Sequence, residues 1–470
     1  MTTTRNTIVW AGLALPVAQG PVQSDFALYI VDNRITDRGP LATLRTRYPA
    51  AEVVGDANLL LLPALVNAHD HGRGLGTLPL GVPDDLLEIW LPGLFSQPAT
   101  DPYQIARLEG LLLLSSGVGT TAHSHNPRAW ANLADESEAT LRGYREAGIR
   151  VAFPPPLVDQ NPLVYAERTR FLAGLPATLQ EAAQRFLQPT GLTHQDYFDL
   201  CDRLFATHHD PVSHTVHIQV SPAGGQWCSD ELILRAVEWA QRHQSRIQMH
   251  MLETRYQRHY AFQRWGKSFI AHLAEIGALG PWLTLAHMVW IETSDIPLLA
   301  KAGVGVAHNP SSNLRLRSGL APASALLAAG VPLGVGLDGQ ALDDDQDYLR
   351  ELRLAWTLAN QPGADAATIA AAQLLAAGSE GGAAITLGQS AQLGRLETGA
   401  LADLILLDWD AVQGVWASPQ IPLTDLLLRR ATKAHVRHVM VNGEWVIRAG
   451  RSTRIDEAEV VAALRLELTA

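Results

Sequence analysis

Two histidines that lie one residue apart end an apolar run in the first part of the chain. The stretch LLLLPALVNAHDHGRG at 59–74 places His69 and His71 after leucine and valine residues. In a β-strand, residues i and i+2 point to the same face, about 6.5–7 Å apart along the strand, so the two imidazoles project together. Imidazole binds zinc, iron and similar metals. The pair is therefore a candidate metal site, although polar strand ends and chance also produce this spacing.

Three later segments end in residues that can also bind a metal or transfer a proton. The segment IQMHMLET places His250 at the end of a predicted strand and Glu253 three residues further on. The segments LTLAHMVWIE and GVPLGVGLDG end predicted strands with His287 and Asp338. Three imidazoles and a carboxylate can hold one divalent ion and leave a position for water. Each residue alone could cap a strand, pack in the core or serve a turn, but together they indicate one metal site.

Residues on several strands can meet only if the strands lie side by side. From the first histidine pair onward, short apolar segments alternate with long helical stretches, as at 105–126 and 229–254. The second stretch predicts a helix that begins at Ser229 or Asp230 and is followed by a strand. So many alternating units in about 330 residues predict a parallel (β/α)8 barrel with insertions. Active sites of this fold lie at the carboxyl ends of the strands, where the histidines would face the mouth.

Both ends of the chain are rich in predicted strands. TIVWAGLALPV and DFALYIVDNRI lie near the N-terminus, and LADLILLDWD and VRHVMVNGEWVIRAG lie near the C-terminus, with a hairpin turn at Asn442-Gly443. These two ends could pair into one small domain beside the barrel. We therefore predict an α/β fold with a barrel at 59–390 and a small flanking β-sandwich domain built from 1–58 and 391–470.

Composition and charge limit the class of protein and its partners. The 470 residues carry a formal net charge of −11, and the pI is about 5.8. This acidic balance argues against a nucleic-acid or anionic-membrane partner and fits action on a small molecule, and no apolar run is long enough to span a bilayer. Cys201 and Cys228 cannot form a disulfide framework, which favours a reducing compartment such as the cytoplasm. The first residues could form a weak secretory signal, but breaks at Gly12 and Pro16 favour paired strands.

Taken in order, the motifs resemble the amidohydrolase superfamily, in the branch of cytosine deaminase, S-adenosylhomocysteine and methylthioadenosine deaminases and triazine chlorohydrolases. The similar pieces include PALVNAHDH at 63–71, GVGTT at 117–121, HMLET at 250–254, LAHMVWIE at 285–292, VAHNPSSNLRLRSG at 306–319, GLDGQALDDDQDYLRELRLA at 336–355 and GRLETGALADLILLD at 394–408. The set spans most of the chain, and it is specific although no single motif is.

The resemblance implies a metal site with one ion. His69, His71 and His250 match the metal-binding histidines of the superfamily, and Asp338 matches its metal-contacting aspartate. Binuclear members commonly bridge two ions with a carboxylated lysine on the fourth strand. None of the three lysines of this chain lies in a place suited to that bridge. We therefore expect one divalent metal ion, with zinc as the first expectation and iron as the alternative.

The resemblance also implies the catalytic residues. Asp338 matches the aspartate that shuttles protons, and Glu253 matches the glutamate that protonates the leaving side of the substrate. His287 matches the histidine that hydrogen-bonds the attacking water or the substrate. A bound divalent cation lowers the pKa of water toward neutrality and so yields a hydroxide nucleophile. The two carboxyl groups can divide the roles of general base and general acid if their surroundings separate their pKa values.

Several residues around the predicted centre are candidate substrate contacts. The stretch VSPAGGQWCSDE has Ala223 where relatives that act on adenosine compounds often carry a histidine, which argues against a nucleoside, and Gln226 and Trp227 lie nearby. His123 and His125 end the second predicted strand. They could line the substrate pocket, bind a second ion or simply form a hydrogen-bonded polar strand end.

Two further candidates follow predicted strands. Arg73, just after the metal histidines, could hold a substrate anion or carbonyl, or it could pair with Asp84 or Asp85. Asn309 lies in the segment NPSSNLRLRSG, which is either a loop near the pocket or a solvated polar turn.

The sequence thus predicts a metal-dependent hydrolase that cleaves a C–N bond by deaminating an N-heterocyclic small molecule. One alternative keeps the site but changes the substrate to an amide, urea, carbamate or chloro-substituted heterocycle. Another is a barrel that only binds a ligand, against which the retained catalytic residues count. A homodimer or larger homo-oligomer is expected by resemblance alone.

Overall fold

The computed structural model describes residues 6–160, 165–187, 190–360, 362–365, 368–388 and 392–469. The first five residues of the predicted N-terminal unit and the predicted domain boundary at 390–391 lie outside these ranges. Among the described helices, none combines the length and the hydropathy needed to cross a bilayer. Cys201 and Cys228 are both buried and are not joined in a disulfide.

The strands of the described residues are β1 (Asn6–Ala14), β2 (Gln23–Val31), β3 (Arg34–Gly39), β4 (Glu52–Pro63), β5 (Leu65–Asp70), β6 (Val118–His123), β7 (Arg150–Phe153), β8 (Pro156–Leu157), β9 (Val216–Ile218), β10 (Ser221–Pro222), β11 (Ile247–Met251), β12 (Leu283–His287), β13 (Gly305–His308), β14 (Leu333–Val335), β15 (Leu404–Asp408), β16 (Val436–Val441), β17 (Glu444–Arg448) and β18 (Arg451–Ser452).

The α-helices of the same residues are α1 (Leu41–Arg47), α2 (Leu87–Leu94), α3 (Pro102–Ser115), α4 (Leu133–Ala147), α5 (Arg168–Ala173), α6 (Ala177–Phe186), α7 (His194–His208), α8 (Asp230–His243), α9 (Arg255–Trp265), α10 (Phe269–Glu275), α11 (Ile296–Ala302), α12 (Pro310–Arg315), α13 (Ala323–Ala328), α14 (Tyr348–Ala359), α15 (Ala371–Ala377), α16 (Glu380–Leu387), α17 (Trp409–Gln413), α18 (Leu423–Arg430) and α19 (Glu457–Thr469).

The fold is mixed α/β, and its central strands are parallel. One sheet has the order β5-β6-β7-β9 and the other has the order β11-β12-β13-β14, with β8 and β10 paired separately. An isolated parallel bridge between Val220 and Ile247 connects the β9 side of the first sheet to β11. On the other side, the backbone N–H of Asp338 donates to the carbonyl of His69 at 3.0 Å, next to β14 and β5. Within the described residues the ladders therefore form two sheets in contact, and not one continuous ring as predicted.

The burial pattern matches the apolar strands and the amphipathic helices. All residues of β5, β6 and β11 are buried, as expected for parallel strands covered by helices on one face. Helix α8 buries Leu232, Ala236 and Ala240, which repeat at helical spacing. Its N-cap is Ser229, whose hydroxyl accepts the Leu232 N–H at 3.2 Å, so the predicted helix start is confirmed.

Strands from both chain ends form one eight-stranded sheet, with the order β18-β17-β16-β15-β4-β1-β2-β3. Strand β4 pairs with β1 in parallel and with β15 in antiparallel orientation, so it joins the two ends of the chain. The predicted hairpin turn connects β16 and β17, and Asn442 and Gly443 both have positive φ, at 53° and 74°. A sheet shared by both ends is therefore present, whereas its division into two sandwich layers stays a prediction.

A buried ion pair ties this end sheet to the parallel strands. Arg150, the first residue of β7, is fully buried and binds Asp403, which directly precedes β15. The Nη2 atom of Arg150 lies 2.8 Å from Oδ1 and 2.9 Å from Oδ2, and Nε donates to Oδ2 at 3.1 Å. The other acceptor of the guanidinium is the carbonyl of Ser213. This bidentate pair fixes the position of the two sheets relative to each other.

Candidate active site

Four strand ends bring the predicted metal and catalytic residues together at one edge of the parallel sheets. The Nε2 atoms of His69 and His71 lie 3.3 and 3.1 Å from Oδ1 of Asp338. The Nε2 atom of His250 lies 3.1 Å from that of His71. The ligand-capable atoms of His69, His250, His287 and Asp338 all lie within 4.8 Å of one another. Residues separated by up to 269 positions in sequence thus form one buried cluster.

The hydrogen bonds behind this cluster turn three imidazole lone pairs toward its centre. His71 Nδ1 lies 2.7 Å from the carbonyl of Ser124, and His250 Nδ1 lies 2.6 Å from the carbonyl of Ala223. A carbonyl oxygen only accepts, so Nδ1 of each ring carries the hydrogen and Nε2 keeps its lone pair. Similarly, His69 Nδ1 lies 3.3 Å from Oε1 of Gln248. Such outer contacts are typical of metal-binding histidines, because they fix the tautomer.

The donor set fits a divalent cation. Burial lowers the pKa of His71 to about 4 and lowers that of His250 well below its usual value, so both rings are neutral near pH 7. Their Nε2 atoms nevertheless face each other at 3.1 Å, with no hydrogen available to either. Among the described residues, His69 Nε2 and Asp338 Oδ1 also have no partner with hydrogen-bond geometry, although the two atoms are only 3.3 Å apart. A cation between these atoms would satisfy all four.

Backbone strain coincides with the same residues. His287 and Asp338 have φ values of 75° and 58°, in the left-handed region that residues with a side chain rarely adopt. Strain of this kind persists where the surrounding structure holds the residue in place, and it clusters at functional sites. Gly336 shows how closely the segments approach, because a Cβ atom there would lie 2.6 Å from the carbonyl oxygen of His69.

The surroundings shift the pKa values of Glu253 and Asp338 in opposite directions. Burial, together with the nearby Asp338 and Glu88, raises the pKa of Glu253 well above its usual value. Burial also opposes ionisation of Asp338, but His287 and the contacts from His69 outweigh it and hold that pKa well below the usual value. Glu253 is therefore a neutral acid and Asp338 an ionised base, as a division of acid and base roles requires.

His287 lies between these two carboxyl groups. Its Nε2 atom is 3.7 Å from Oε2 of Glu253 and 3.7 Å from Oδ2 of Asp338. On the other side of the ring, Nδ1 of His287 donates to Oδ1 of Asn313 at 3.0 Å. The amide nitrogen of Asn309 lies 3.4 Å from Nδ1 of His287. The Nε2 lone pair of His287 therefore also faces the centre.

A cavity of about 1070 Å³ opens over the cluster. His71, His250, Glu253, His287 and Asp338 line it. Of the predicted substrate contacts, Arg73, His123, His125 and Trp227 line the same cavity. Gln226 and Asn309 are buried but do not line it, and Asn309 lies behind His287 instead.

His123 and His125 form a hydrogen-bonded chain along the cavity wall. His123 Nε2 lies 3.2 Å from Nδ1 of His125, and its own Nδ1 lies 2.8 Å from the hydroxyl of Tyr144. His125 Nε2 is 3.5 Å from a carboxylate oxygen of Glu136. Among the described residues, only the first cluster has the spacing of a metal site. The structure therefore supports a hydrogen-bonded pair that lines the cavity and gives no support to a second ion.

Two further residues contact the histidines: Gln248, which was not among the sequence-based candidates, and Asn313, which the sequence offered only as part of the polar segment NPSSNLRLRSG. Gln248 lies two residues before His250 on β11, so the same i, i+2 rule that paired His69 and His71 would have placed it on the cluster face. Asn313 lies one helical turn after Asn309 on α12, and the polar segment NPSSN is its only sequence signal.

Comparison with known proteins identifies the family. The amidohydrolase family matches residues 60–446. The chain belongs to the amidohydrolase family. The resemblance carried by the motifs is thereby confirmed, and with it the prediction that the chain is an enzyme of the amidohydrolase type.

Curated relatives are similar to this amidohydrolase over almost its whole length. The 5-methylthioadenosine/S-adenosylhomocysteine deaminase of Syntrophobacter fumaroxidans is 28% identical over 441 residues, which cover 93% of this chain and 92% of the relative. The 8-oxoguanine deaminase of Pseudomonas aeruginosa is 30% identical over 431 residues, which cover 90% of each chain.

Solved structures share the fold of this amidohydrolase. An adenosine deaminase from Xanthomonas campestris with bound zinc superposes with a TM-score of 0.79 at 26% identity, over 98% of both chains. An atrazine chlorohydrolase from Arthrobacter aurescens, complexed with zinc, superposes with a TM-score of 0.82 at 24% identity, over 98% of this chain and 100% of the other. At 24% identity, the similarity to the chlorohydrolase shows a shared fold and nothing further.

Proposed function

We propose that this amidohydrolase is a metal-dependent deaminase of an N-heterocyclic small molecule. The observation that carries the proposal is the convergence of His69, His71, His250 and Asp338 beside the cavity, with the buried acid Glu253 3.7 Å from His287. A ligand set for a divalent ion beside a proton donor meets the needs of hydrolytic C–N cleavage. The curated relatives are deaminases by name, which supports the same chemistry.

We assign His69, His71, His250 and Asp338 as ligands of one divalent metal ion, with zinc as the expected metal and iron as the alternative. The inward-facing Nε2 lone pairs and the ionised carboxylate support this assignment. The zinc in the Xanthomonas adenosine deaminase supports the choice of metal. When bound, such an ion lowers the pKa of a water molecule and polarises the group under attack.

The remaining side chains would move the protons of the reaction. Water adds its oxygen to the ring carbon that carries the amino group, and the ionised carboxylate of Asp338 accepts the proton that the water releases. His287 accepts a hydrogen bond through Nε2, because its Nδ1–H is held by Asn313. Glu253, which is protonated, donates a proton to the departing nitrogen, which leaves as ammonia.

Ala223, whose carbonyl contacts His250, bears on the substrate class. Ala223 lines the cavity, and its carbonyl accepts from His250 Nδ1. A methyl group cannot replace the hydrogen bond of the histidine that adenosine-type relatives often carry there. We therefore infer a heterocycle other than a nucleoside as the substrate. Hydrolysis of an amide, urea, carbamate or chloro-substituted ring by the same site is the alternative.

The substrate class is tested by following the released group. Ammonia release is measured with aminopurines, aminopyrimidines and aminotriazines. Amine release is measured with ureas and carbamates, and chloride release is measured with chlorotriazines. Deamination predicts ammonia from at least one aminoheterocycle, and no release by the Asp338→Asn variant prepared in parallel. Release of amine or chloride without ammonia would favour the alternative substrates. Binding of ring compounds with no release of any group would favour a barrel that only binds a ligand.

The proposal extends to the domain organisation, the oligomeric state and the location of the protein. We propose that the two parallel sheets correspond to a (β/α)8 barrel at 59–390, and that residues 1–58 and 391–470 form the flanking β unit. The bridge between Val220 and Ile247 and the contact between Asp338 and His69 support a ring-like arrangement. A homodimer or larger assembly and a cytoplasmic location stay predictions.

A further inference from the structure

One partly buried arginine on the cavity wall has no ion-pair partner among the described residues. Arg73 lies two residues after His71 and lines the cavity next to the metal cluster. Its Nε atom is buried and has no hydrogen-bond partner among the described residues. The aspartates that the sequence offered as partners are occupied, because Asp84 binds Arg315 and Asp85 binds Arg317. Pairing of Arg73 with either aspartate is therefore not what the structure shows.

The acidic side chains closer to Arg73 are also engaged with other groups. Asp70 accepts the backbone N–H groups of His71 and Gly72 at 2.7 and 2.8 Å. Glu109 accepts the backbone N–H of Gly74 at 2.8 Å. Within the part of the chain that the structure describes, no carboxylate forms an ion pair with Arg73. A cation without a contacting anion in a partly dry site is costly unless a ligand supplies the anion.

The surrounding segments are shaped to hold Arg73 in this position. Gly72 and Gly74 flank it with φ values of 59° and 63°, so the chain can turn sharply on both sides of the arginine. Gly339 leaves space for its stem, because a Cβ atom there would lie 2.9 Å from Cγ of Arg73 and 3.1 Å from Nε. The guanidinium carbon lies 4.9 Å from the ring centroid of Trp90, which gives it a flat aromatic support.

Charged side chains of both signs line the wider cavity, and most of them have partners. Arg128, Arg168 and Arg185 also line the cavity. Outside the metal centre, its carboxylates have partners on the wall: Glu136 contacts His125, and Asp159 contacts His194. Arg185 contacts Glu181 at 3.8 Å, and Arg128 donates to the carbonyls of Gln97 and Pro98, whereas Nε of Arg73 has no partner.

We propose that the substrate carries a carboxylate, which Arg73 binds against Trp90 while the amino carbon lies over the metal cluster. This inference rests on the proposed function and narrows it to amino-heterocyclic carboxylates. A guanidinium presents two parallel N–H groups that match the two oxygens of a planar carboxylate. Arg73 follows His71 by two residues and packs against Gly339, the residue after Asp338, so a carboxylate bound there would lie beside the metal cluster. Arg73 is therefore a specificity-determining residue.

The test uses two probes of equal shape, benzoate and benzamide, and measures their dissociation constants for the metal-loaded full-length protein by titration calorimetry. We expect the protein to bind benzoate about 10- to 100-fold more tightly than benzamide, the range of a charge-assisted pair. The Arg73→Met variant should lose this preference. The Arg73→Lys variant should keep part of it, because lysine supplies the positive charge without the two parallel N–H groups. The matched control is Arg128→Met, whose guanidinium donates to the carbonyls of Gln97 and Pro98, and it should keep the preference.

Two results would overturn the inference. Equal binding of the two probes to the unchanged protein would mean that the cavity has no carboxylate site. A preference for benzoate that survives in Arg73→Met would mean that the metal or another cation binds it. Because binding is measured without turnover, these outcomes are distinct from a failure of the proposed deamination, which would appear as absence of ammonia release in the unchanged protein.

Discussion

Replacing Glu253 by glutamine removes one proton donor and leaves the shape of the buried site unchanged. Glu253 is 2% exposed, and the hydroxyl of Ser318 donates to its Oε1 atom at 3.4 Å. Burial, with Asp338 and Glu88 nearby, raises the pKa of Glu253 well above its usual value, so glutamine replaces one neutral group by another. We therefore expect the free energy of unfolding to change by less than about 1 kcal/mol.

The effect on the reaction should be much larger. A positioned general acid contributes a factor of about 10² to 10⁴, which corresponds to about 3–5 kcal/mol of activation free energy. We expect kcat of Glu253→Gln to fall by that factor and KM to change less than about threefold, because the substitution keeps the cavity wall. The assay is ammonia release at saturating concentrations of the best aminoheterocycle of the panel.

The pH profile gives a second measure of the same role. The acid form of Glu253 is the active form, so kcat/KM should fall as the pH rises through its raised pKa. This alkaline decline should be missing from the residual activity of Glu253→Gln. Glu88→Gln serves as the comparison variant, because Glu88 accepts from Thr254 and Tyr165 and does not line the main cavity. It should keep kcat, but its alkaline decline should move to lower pH, since Glu88 helps to raise the pKa of Glu253. Equal losses in the two variants, or more than about a tenth of full activity in Glu253→Gln, would refute the assignment.

Three further substitutions test the site and the fold. Asp338→Asn should keep the fold, as judged by its melting temperature, but should release no ammonia because both a metal ligand and the base are lost. Asn313→Ala should lower kcat about tenfold, since His287 loses the acceptor that holds its Nδ1–H, and an unchanged kcat would contradict this role. Asp403→Ala leaves Arg150 buried without its partner and should lower the free energy of unfolding by about 3–5 kcal/mol in urea titrations. A loss below about 1 kcal/mol would show that the pair does not hold the two sheets together.

The convergence of the candidate metal and catalytic residues could be predicted because each one has a local sequence signal. His69, His250 and His287 lie at the ends of short apolar segments, and two-residue periodicity sets their direction along a strand. Alternation of strands and helices then predicts that these ends share one edge. The ordered motifs identified the superfamily, and the family match confirms it.

Contacts that depend on the packing of distant segments could not be predicted in this way. Asn313 lies on helix α12 and contacts His287 at the end of β12, and nothing in the spacing of the two residues indicates this contact. The buried pair between Arg150 and Asp403 joins residues more than 250 positions apart. Asn309 follows a predicted strand as the other candidates do, yet its side chain lies behind His287 and not on the cavity wall. Side-chain direction after a strand ends depends on tertiary packing, which periodicity does not report.

The central claim is that one divalent ion, held by the histidine and aspartate cluster, is required for release of ammonia. The most direct measurement removes metal from the full-length protein with a chelator and follows ammonia release while zinc is added back in measured amounts. We expect no release from the stripped protein and a linear rise that ends at one equivalent of zinc per chain. Full activity after complete removal of metal, or a rise that continues to two equivalents, would contradict it.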